Sequence, residues 1–291
     1  SVHPLTRAFA GARLEEAPEL EMQLHTRAAE YFLGFAVRHG GSRTNWRAYG
    51  EIERELSNIL GVANWCYERA SEEASKERCV RTLIDLGWAL RNFFWTRCYW
   101  HEGVDFFEKV IDVSSHIRDL GSVGWRAYDV GWLYVSFDMK QARKWAHQSL
   151  RAFEATGNER GIGFAKHLLG GIARDTGNYD EAAKLLGEAM AALERHGKGA
   201  ADLVVVMLSY GLLAYRQGNL DEAERYLKEV TDGGEATYEA RVWPALGMVH
   251  LERHNLSQAQ YCFEKGKAMA NDVGRKDVTA YCDYGLARIE E

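Results

Sequence analysis

The chain has 291 residues, of which 46% are hydrophobic and 27% charged, and its formal net charge is −6. This acidic balance provides no basic surface for nucleic acid or for an anionic membrane, so we expect neither as a partner. No apolar run reaches the roughly 18 residues that a membrane span requires, and no signal-peptide pattern opens the chain. The five cysteines are odd in number and lack CxxC spacing. Reduced thiols, and hence a cytoplasmic protein, are the expectation.

The N-terminal quarter of the chain predicts helices rather than strands. A short helix is predicted over Leu5–Glu16, and a longer one runs from Glu19 to about His39, where the pair Gly40-Gly41 is a typical C-terminal stop. A further helical stretch, from about Trp46 to Cys79, is interrupted between Glu68 and Ser75. Apolar residues recur at helical spacing in both long segments. We expect both to be amphipathic helices that pack against the units that follow them.

The rest of the chain is organised as repeated pairs of short helices. In the clearest copies, a glycine in an apolar first helix is followed 12 residues later by an alanine in the second helix. Gly131 and Gly285 mark weaker or incomplete copies, and the glycines recur every 36 to 41 residues, a period typical of helical solenoids. A small residue lets the two helices of a hairpin approach closely. The three clear copies, each with a large apolar residue one turn further on, are Gly170, Ala182 and Leu186; Gly211, Ala223 and Leu227; and Gly247, Ala259 and Phe263.

These units resemble the tetratricopeptide repeat family, whose signature is a Leu-Gly-x-x-Tyr-like first helix and an Ala-x-x-x-Tyr/Phe-x-x-Ala second helix. The resemblance covers about Thr82 to Glu291. It implies an all-α fold, a right-handed α-α superhelix of about five hairpins plus a C-terminal helix over residues 82–291, with a helical linker before it. The repeats lack the usual final proline, their second helices look longer, and Arg91 stands where the earliest unit should have glycine. These departures imply extended hairpins with an altered superhelical pitch.

Three segments, in order along the chain, carry a second resemblance, to the STAND signal-transduction ATPases. The string HPLTRAFAGARL resembles the last helix region of their winged-helix module. The string EIERELSNILGVANWCYE resembles the Glu-x-Asn-hydrophobic-x-x-Ala-x-x-Trp element before their repeat sensor, and LIDLGWALRNFFWTRCYWHEGVDFFEKVI is similar to their first sensor hairpin. The resemblance implies the residual end of a winged-helix module at residues 1–17, a helical linker at residues 18–81, and a nucleotide-binding module upstream.

The same resemblance implies a non-catalytic sensor that regulates the upstream ATPase, in transcription or another signalling output. An inducer, whether a peptide, a protein or a small molecule, would bind the repeats and release an autoinhibitory contact with the ATPase module. ATP would be a cofactor of that module alone, because this sequence has no GxxxxGK[ST] loop to hold phosphates. A free-standing scaffold for protein–protein interaction is the alternative. An enzyme or small-ligand receptor built into the repeats is a third alternative, which the sequence leaves open.

The candidate binding residues follow from the geometry of the resembled fold. In tetratricopeptide solenoids the first helix of each hairpin lines the concave face, at positions six and three before, and one, four and five after, the small residue. These positions are rich in aromatic residues and include arginine, and such side chains dominate binding hot spots. An exposed aromatic cluster calls for a partner to cover it, although single rings could instead pack against neighbouring hairpins. The residues predicted to bind the inducer are Trp88, Asn92, Trp95, Trp125, Tyr128, Trp132, Phe164, His167, Arg174, Tyr215 and Arg216.

The sequence contains no motif that we can assign to catalysis or to metal binding. His250 and His254 stand four residues apart, but the zincin motif needs glutamate directly after the first histidine, where this chain has Leu251. No GxSxG elbow occurs, and no nucleophile and base stand in a defensible arrangement. We therefore predict neither an enzyme nor a metal site in this chain.

Overall fold

The computed structural model describes residues 16–72, 75–195, 200–231 and 236–290. These segments contain thirteen α-helices and one 3-10 helix, Arg43–Ala48, and no strand occurs in them. The predicted helix over residues 5–16 lies, apart from its last residue, outside the described part. The α-helices are α1 (Pro18–Gly40), α2 (Tyr49–Arg69), α3 (Lys76–Thr96), α4 (Trp100–His116), α5 (Leu120–Tyr134), α6 (Met139–Thr156), α7 (Glu159–Asp175), α8 (Tyr179–Arg195), α9 (Ala200–Arg216), α10 (Leu220–Thr231), α11 (Ala236–Glu252), α12 (Leu256–Val273) and α13 (Lys276–Glu290).

Consecutive helices pair into hairpins, as the sequence pattern predicts. The pairs α3–α4, α5–α6, α7–α8, α9–α10 and α11–α12 form five two-helix units, and α13 packs on α12. Ahead of them, α1 packs against α2 and α3. The predicted all-α solenoid of tetratricopeptide type is thus confirmed. The predicted division between linker and repeats, at residue 82, falls inside α3, and we propose Lys76, where α3 begins, as the first residue of the repeats.

The glycines of the repeat pattern lie where the two helices of a hairpin come closest. A Cβ atom added to Gly211 would lie 2.8 Å from Cγ of Leu227, which is fully buried. On Gly247 the same atom would lie 2.7 Å from the ring of Phe263. A larger residue at either position would have to push the two helices apart or distort the buried side chain. The close approach that the sequence predicts is therefore present in the structure.

Local sequence signals set the ends of the helices. Gly177 and Gly218 end the first helices of their hairpins with φ angles of 81° and 80°, in the left-handed conformation that glycine adopts without strain. His254 has φ of 59° in the turn of the α11–α12 hairpin, at the position where the stronger copies have glycine. Asp138 and Asn158 cap α6 and α7, because their carboxylate and amide oxygens accept hydrogen bonds from N–H groups of the first turn.

The superhelix curls until its first hairpin meets its last helices. At the end of α3, the ring centroid of Trp95 lies 3.9 Å from the guanidinium carbon of Arg275. Nearby, Sγ of Cys98 donates a hydrogen bond to Oδ1 of Asp277 over 3.4 Å. Ala240 of α11 belongs to the same apolar cluster as the N-terminal helices. The first helices of the hairpins therefore surround a common interior, rather than a trough that is open along its whole length.

Candidate functional site

The first helices of all five hairpins line one pocket, the central pocket, which encloses about 170 Å³. Both aromatic rings and guanidinium groups line its wall, which suits a ligand that carries both an apolar and a charged part. Phe107, from α4, is the residue that a second helix contributes to this wall. The residues of the central pocket are Arg91, Asn92, Trp95, Phe107, Trp125, Tyr128, Asp129, Trp132, Leu133, Arg160, Phe164, His167, Val205, Leu208, Ser209, Tyr238 and Arg241.

Two further pockets share residues with the central pocket. The N-terminal pocket, of about 410 Å³, shares Arg91 and Asn92 with it and contains Trp88, whose side chain is 40% exposed. The C-terminal pocket, of about 620 Å³, shares Arg241 with it. The C-terminal pocket is lined by Arg174, Asp175, Leu212, Tyr215, Arg216, Arg241, Pro244, Ala245, Met248, Asp277, Val278, Tyr281, Tyr284 and Arg288.

Every residue predicted to bind the inducer lines one of these three pockets, but the predicted residues do not all line the same pocket. Trp88 lines the N-terminal pocket, and Arg174, Tyr215 and Arg216 line the C-terminal pocket. The spacing from the small residue of each repeat therefore identifies the concave surface, and binding of an inducer to it stays a prediction. The central pocket contains the other seven, Asn92, Trp95, Trp125, Tyr128, Trp132, Phe164 and His167.

The expectation of an exposed aromatic cluster is wrong for part of the set. Trp125, Tyr128 and Phe164 are buried, with exposed fractions of 8%, 8% and 7%. Their rings meet edge to face, at centroid distances between 5.5 and 6.1 Å. The tight curl brings rings of adjacent first helices together, so these three line the pocket with little exposed ring surface and pack mainly against one another. Trp95 and Trp132 remain half-buried and offer more ring surface to the interior.

His167 is a buried, uncharged group on the wall of the central pocket. Its Nε2 atom lies 2.8 Å from Oγ of Ser209 on the next hairpin, and its ring lies 5.3 Å from the ring of Trp132. Burial, and then the positive charges of Arg174 and Arg241, lower the pKa of His167 to about 3. The imidazole is therefore neutral across the physiological pH range. Its Nδ1 atom has no hydrogen-bond partner among the described residues.

One aspartate compensates two arginines beneath the central pocket. Nη2 of Arg91 donates a hydrogen bond to Oδ1 of Asp129 over 3.0 Å, and Nη2 of Arg126 lies 2.9 Å from Oδ2 of the same carboxylate. Arg126 is 1% exposed and also donates to the backbone carbonyl of Gly87. Burial lowers the pKa of Arg126 to about 10, while the charge of Asp129 acts in the opposite direction. This cluster ties the first hairpin to the second.

Two other arginines of the concave face each donate two hydrogen bonds to the carboxylate of an aspartate. Arg160 donates from Nε and Nη2 to the carboxylate of Asp202, over 2.5 and 2.9 Å, and thereby links α7 to α9. Arg174, which is buried, donates from the same two atoms to Asp175 over 2.8 Å each. Such two-point pairs fix both the position and the plane of the guanidinium.

The binding set predicted from the sequence omits three arginines of the central pocket. Arg241 stands six residues before Gly247, so the spacing does place it on the concave face, although the predicted binding set leaves it out. Arg160 lies one helical turn before Phe164 on the same face of α7. Arg91 occupies the small-residue position of the first unit, and its side chain reaches the pocket because no glycine stands there.

The described residues offer neither a metal site nor a membrane span. No three side chains of histidine, cysteine, aspartate or glutamate lie close enough in these segments to hold a metal ion. Within the same segments, none of the helices combines the length and the hydropathy that crossing a lipid bilayer requires. All five cysteines are free thiols.

A family model described as tetratricopeptide repeat matches residues 162–236. The matched stretch covers most of α7 and all of α8 to α10, the hairpins that carry two of the three clear copies of the pattern. The chain contains a tetratricopeptide repeat domain. No curated protein matches it in sequence.

Several solved structures share the fold of this chain. The crystal structure of NprR in complex with its cognate peptide NprX aligns with 98% of this chain and 84% of that chain, at 14% identity and a TM-score of 0.62. A Rap protein complexed with competence and sporulation factor aligns with 92% of this chain and 85% of that chain, at 11% identity and a TM-score of 0.60. The apo form of the quorum sensor NprR from B. thuringiensis aligns with 92% of this chain and 81% of that chain, at 15% identity and a TM-score of 0.50. At these identities the likeness establishes the fold alone.

Proposed function

We propose that this chain is a non-catalytic sensor domain that binds a peptide on its concave face. The observation that carries the proposal is the central pocket, where five hairpins present rings, guanidinium groups and a neutral imidazole to one interior. Tryptophan, tyrosine and arginine contribute most to binding hot spots, because each offers large rigid area with a polar group. Helical repeat folds of this type are typical of non-catalytic interaction domains, and no catalytic family is indicated.

The dimensions of the pockets favour an elongated ligand. The central pocket, at about 170 Å³, is smaller than the roughly 300–1,000 Å³ of a typical small-molecule site. Arg241 lines both this pocket and the wider C-terminal pocket, so the two adjoin there. A ligand that uses both must therefore be long and narrow, as an extended peptide is. The NprR and Rap complexes, which share the fold, contain a peptide and competence and sporulation factor, respectively, and this supports the proposal.

The proposal predicts that the protein selects peptides through Trp132. A synthetic library of random heptapeptides with free ends is screened by affinity selection and mass spectrometry, and the best binders are measured by isothermal titration calorimetry. We expect Trp132→Ala to weaken their binding by about thirtyfold, the effect of losing a hot-spot contact of about 2 kcal/mol. The melting temperature should change little, because Trp132 is half-buried and lines the interior.

Trp145 provides the matched control. It is also a half-buried tryptophan, but it lies on α6, a second helix, and lines none of the pockets described above. Trp145→Ala should leave peptide affinity within twofold of the wild type. An equal loss in the two variants would place binding outside the central pocket, and a library without any enriched peptide would refute peptide sensing.

We further infer that the domain regulates an upstream STAND ATPase module. Two features support this: the three STAND-like segments occur in the expected order, and α1 and α2 pack ahead of the first hairpin as a helical linker would. In such a protein, peptide binding shifts an equilibrium between an inhibited and a released ATPase.

The regulatory proposal predicts two results for the longer protein. Its sequence upstream of this chain should contain a GxxxxGK[ST] loop, and its rate of ATP hydrolysis should rise when a selected peptide is added. Trp132→Ala should remove the response to the peptide, whereas Trp145→Ala should keep it. An upstream sequence without a nucleotide-binding loop would support the free-standing scaffold instead.

A further inference from the structure

Arg241 stands at the junction of the central and C-terminal pockets, and its partners differ from those of the neighbouring arginines. Arg160 and Arg174 each hold a carboxylate with two hydrogen bonds. Arg241 forms neither an ion pair nor a hydrogen bond with any described residue. Its guanidinium carbon lies 5.6 Å from the ring centroid of Trp95, a cation–π contact that leaves the N–H donors available.

The surroundings of Arg241 favour an additional negative charge. Burial, followed by the positive charges of Arg275 and Arg174, lowers the pKa of Arg241 to about 10, although Asp277 acts in the opposite direction. Asp277 and Asp175 already accept paired hydrogen bonds from Arg275 and Arg174. Both carboxylates direct their hydrogen bonds to other arginines, so the charge of Asp277 offsets that of Arg241 only in part. A cation in such a position is costly until an anion approaches it.

The central pocket has the same imbalance of charge. Among the described residues that line it, Arg91, Arg160 and Arg241 are arginines and Asp129 is the one carboxylate. Asp202, behind the lining, pairs with Arg160. Asp129 is shared between Arg91 and the buried Arg126, so positive charge remains in excess. An acidic ligand thus enters a site of net positive charge, and a basic ligand is repelled from it.

We propose that Arg241 binds a carboxylate of the peptide, so that the sensor selects acidic ligands. The proposal rests on peptide binding in the central pocket and specifies its chemistry. A guanidinium presents two parallel N–H donors that match the two oxygens of a carboxylate. The ring of Trp95 lies 5.6 Å from the guanidinium carbon of Arg241, on the side of the central pocket. The apolar side chain next to the acid enters the central pocket, where it meets the half-buried ring of Trp132.

The test uses peptides selected by the wild-type protein from the random heptapeptide library. We expect the selected sequences to be enriched in aspartate, glutamate or an apolar C-terminal residue with a free carboxylate. Each best binder is then remade with Asp→Asn or Glu→Gln, and separately with a C-terminal amide. One of these changes should weaken binding to the wild type at least tenfold, which identifies the carboxylate as a side chain or as the chain end.

The decisive comparison is made with Arg241→Gln. In this variant, the acidic peptide and its neutral form should bind within twofold of each other. Arg143→Gln, a matched change at an arginine of α6 that pairs with Glu181 outside the three pockets, should keep the full discrimination. Selected peptides that bind through Trp132 but tolerate neutralisation would overturn the role of Arg241 and leave peptide sensing intact. A library without enriched peptides would overturn both.

A second readout separates ligand binding from a structural role. If Arg241 serves the ligand, removing its only partly compensated charge should leave the melting temperature of the ligand-free protein equal to or above that of the wild type. If Arg241 instead holds Trp95 and the hairpins together, Arg241→Gln should lower the melting temperature by several degrees, and the proposal would be wrong. Differential scanning calorimetry without peptide decides between the two.

Discussion

Replacing Asp129 with asparagine is expected to lower the free energy of unfolding by about 3–5 kcal/mol. The carboxylate of Asp129 is 8% exposed and compensates both Arg91 and Arg126. Asparagine keeps the shape but removes the charge, and Arg126, which is 1% exposed, is left as a buried cation without a counter-ion. Urea denaturation followed by circular dichroism measures the loss as a lower transition midpoint.

Two further variants show whether the buried charge of Arg126 causes the loss of stability in Asp129→Asn. Asp221→Asn removes a carboxylate that is fully exposed and pairs with Arg253, so it should lower the free energy of unfolding far less than Asp129→Asn does. Adding Arg126→Met to Asp129→Asn should recover more than half of the lost stability, because an apolar side chain then fills the buried position. A double variant that is no more stable than Asp129→Asn alone would contradict this account.

Truncating Trp125 to alanine is expected to lower the free energy of unfolding by about 3–5 kcal/mol. Its ring lies 5.0 Å from the ring of Phe153 and 5.5 Å from that of Phe164, and it receives the guanidinium groups of Arg91 and Arg160 at 5.3 and 5.4 Å. Trp125→Ala therefore leaves a cavity where the second and third hairpins meet. The change is measured by urea denaturation, as for Asp129.

The comparison with Trp132 assigns separate roles to the two tryptophans. Trp132→Ala should cost at least 2 kcal/mol less stability than Trp125→Ala, because its ring is half-buried at the pocket wall. Peptide binding should show the opposite order for variants that remain folded at 10 °C. If the two substitutions destabilised the protein equally, the division between a supporting ring and a binding ring would be incorrect.

The sequence predicts the hairpins because their determinants are local. The distance along the chain from Gly211 to Leu227, or from Gly247 to Phe263, is set by two helices and a tight turn. The absence of a side chain at each glycine is visible in the sequence, and the structure places the expected partner against it. Similarly, His254 occupies a left-handed turn position that the stronger repeats mark with glycine.

The burial of the binding residues could not be predicted in this way. It depends on the superhelical pitch, which accumulates small rotations from one hairpin to the next and is not encoded in any single repeat. Trp125 and Phe164 are 39 residues apart in sequence, yet their rings are in contact. The charge imbalance at Arg241 is equally non-local, because it depends on which aspartates pair with Arg174 and Arg275.

The contact of Trp95 and Cys98 with Arg275 and Asp277 has a mechanical consequence. In a solenoid with free ends, one hairpin can move without displacing the hairpins far from it. In this protein the first hairpin contacts the last helices, so a displacement of any hairpin is transmitted around the closed solenoid. We therefore expect the ligand proposed for the central pocket to displace the first hairpin and the last helices together.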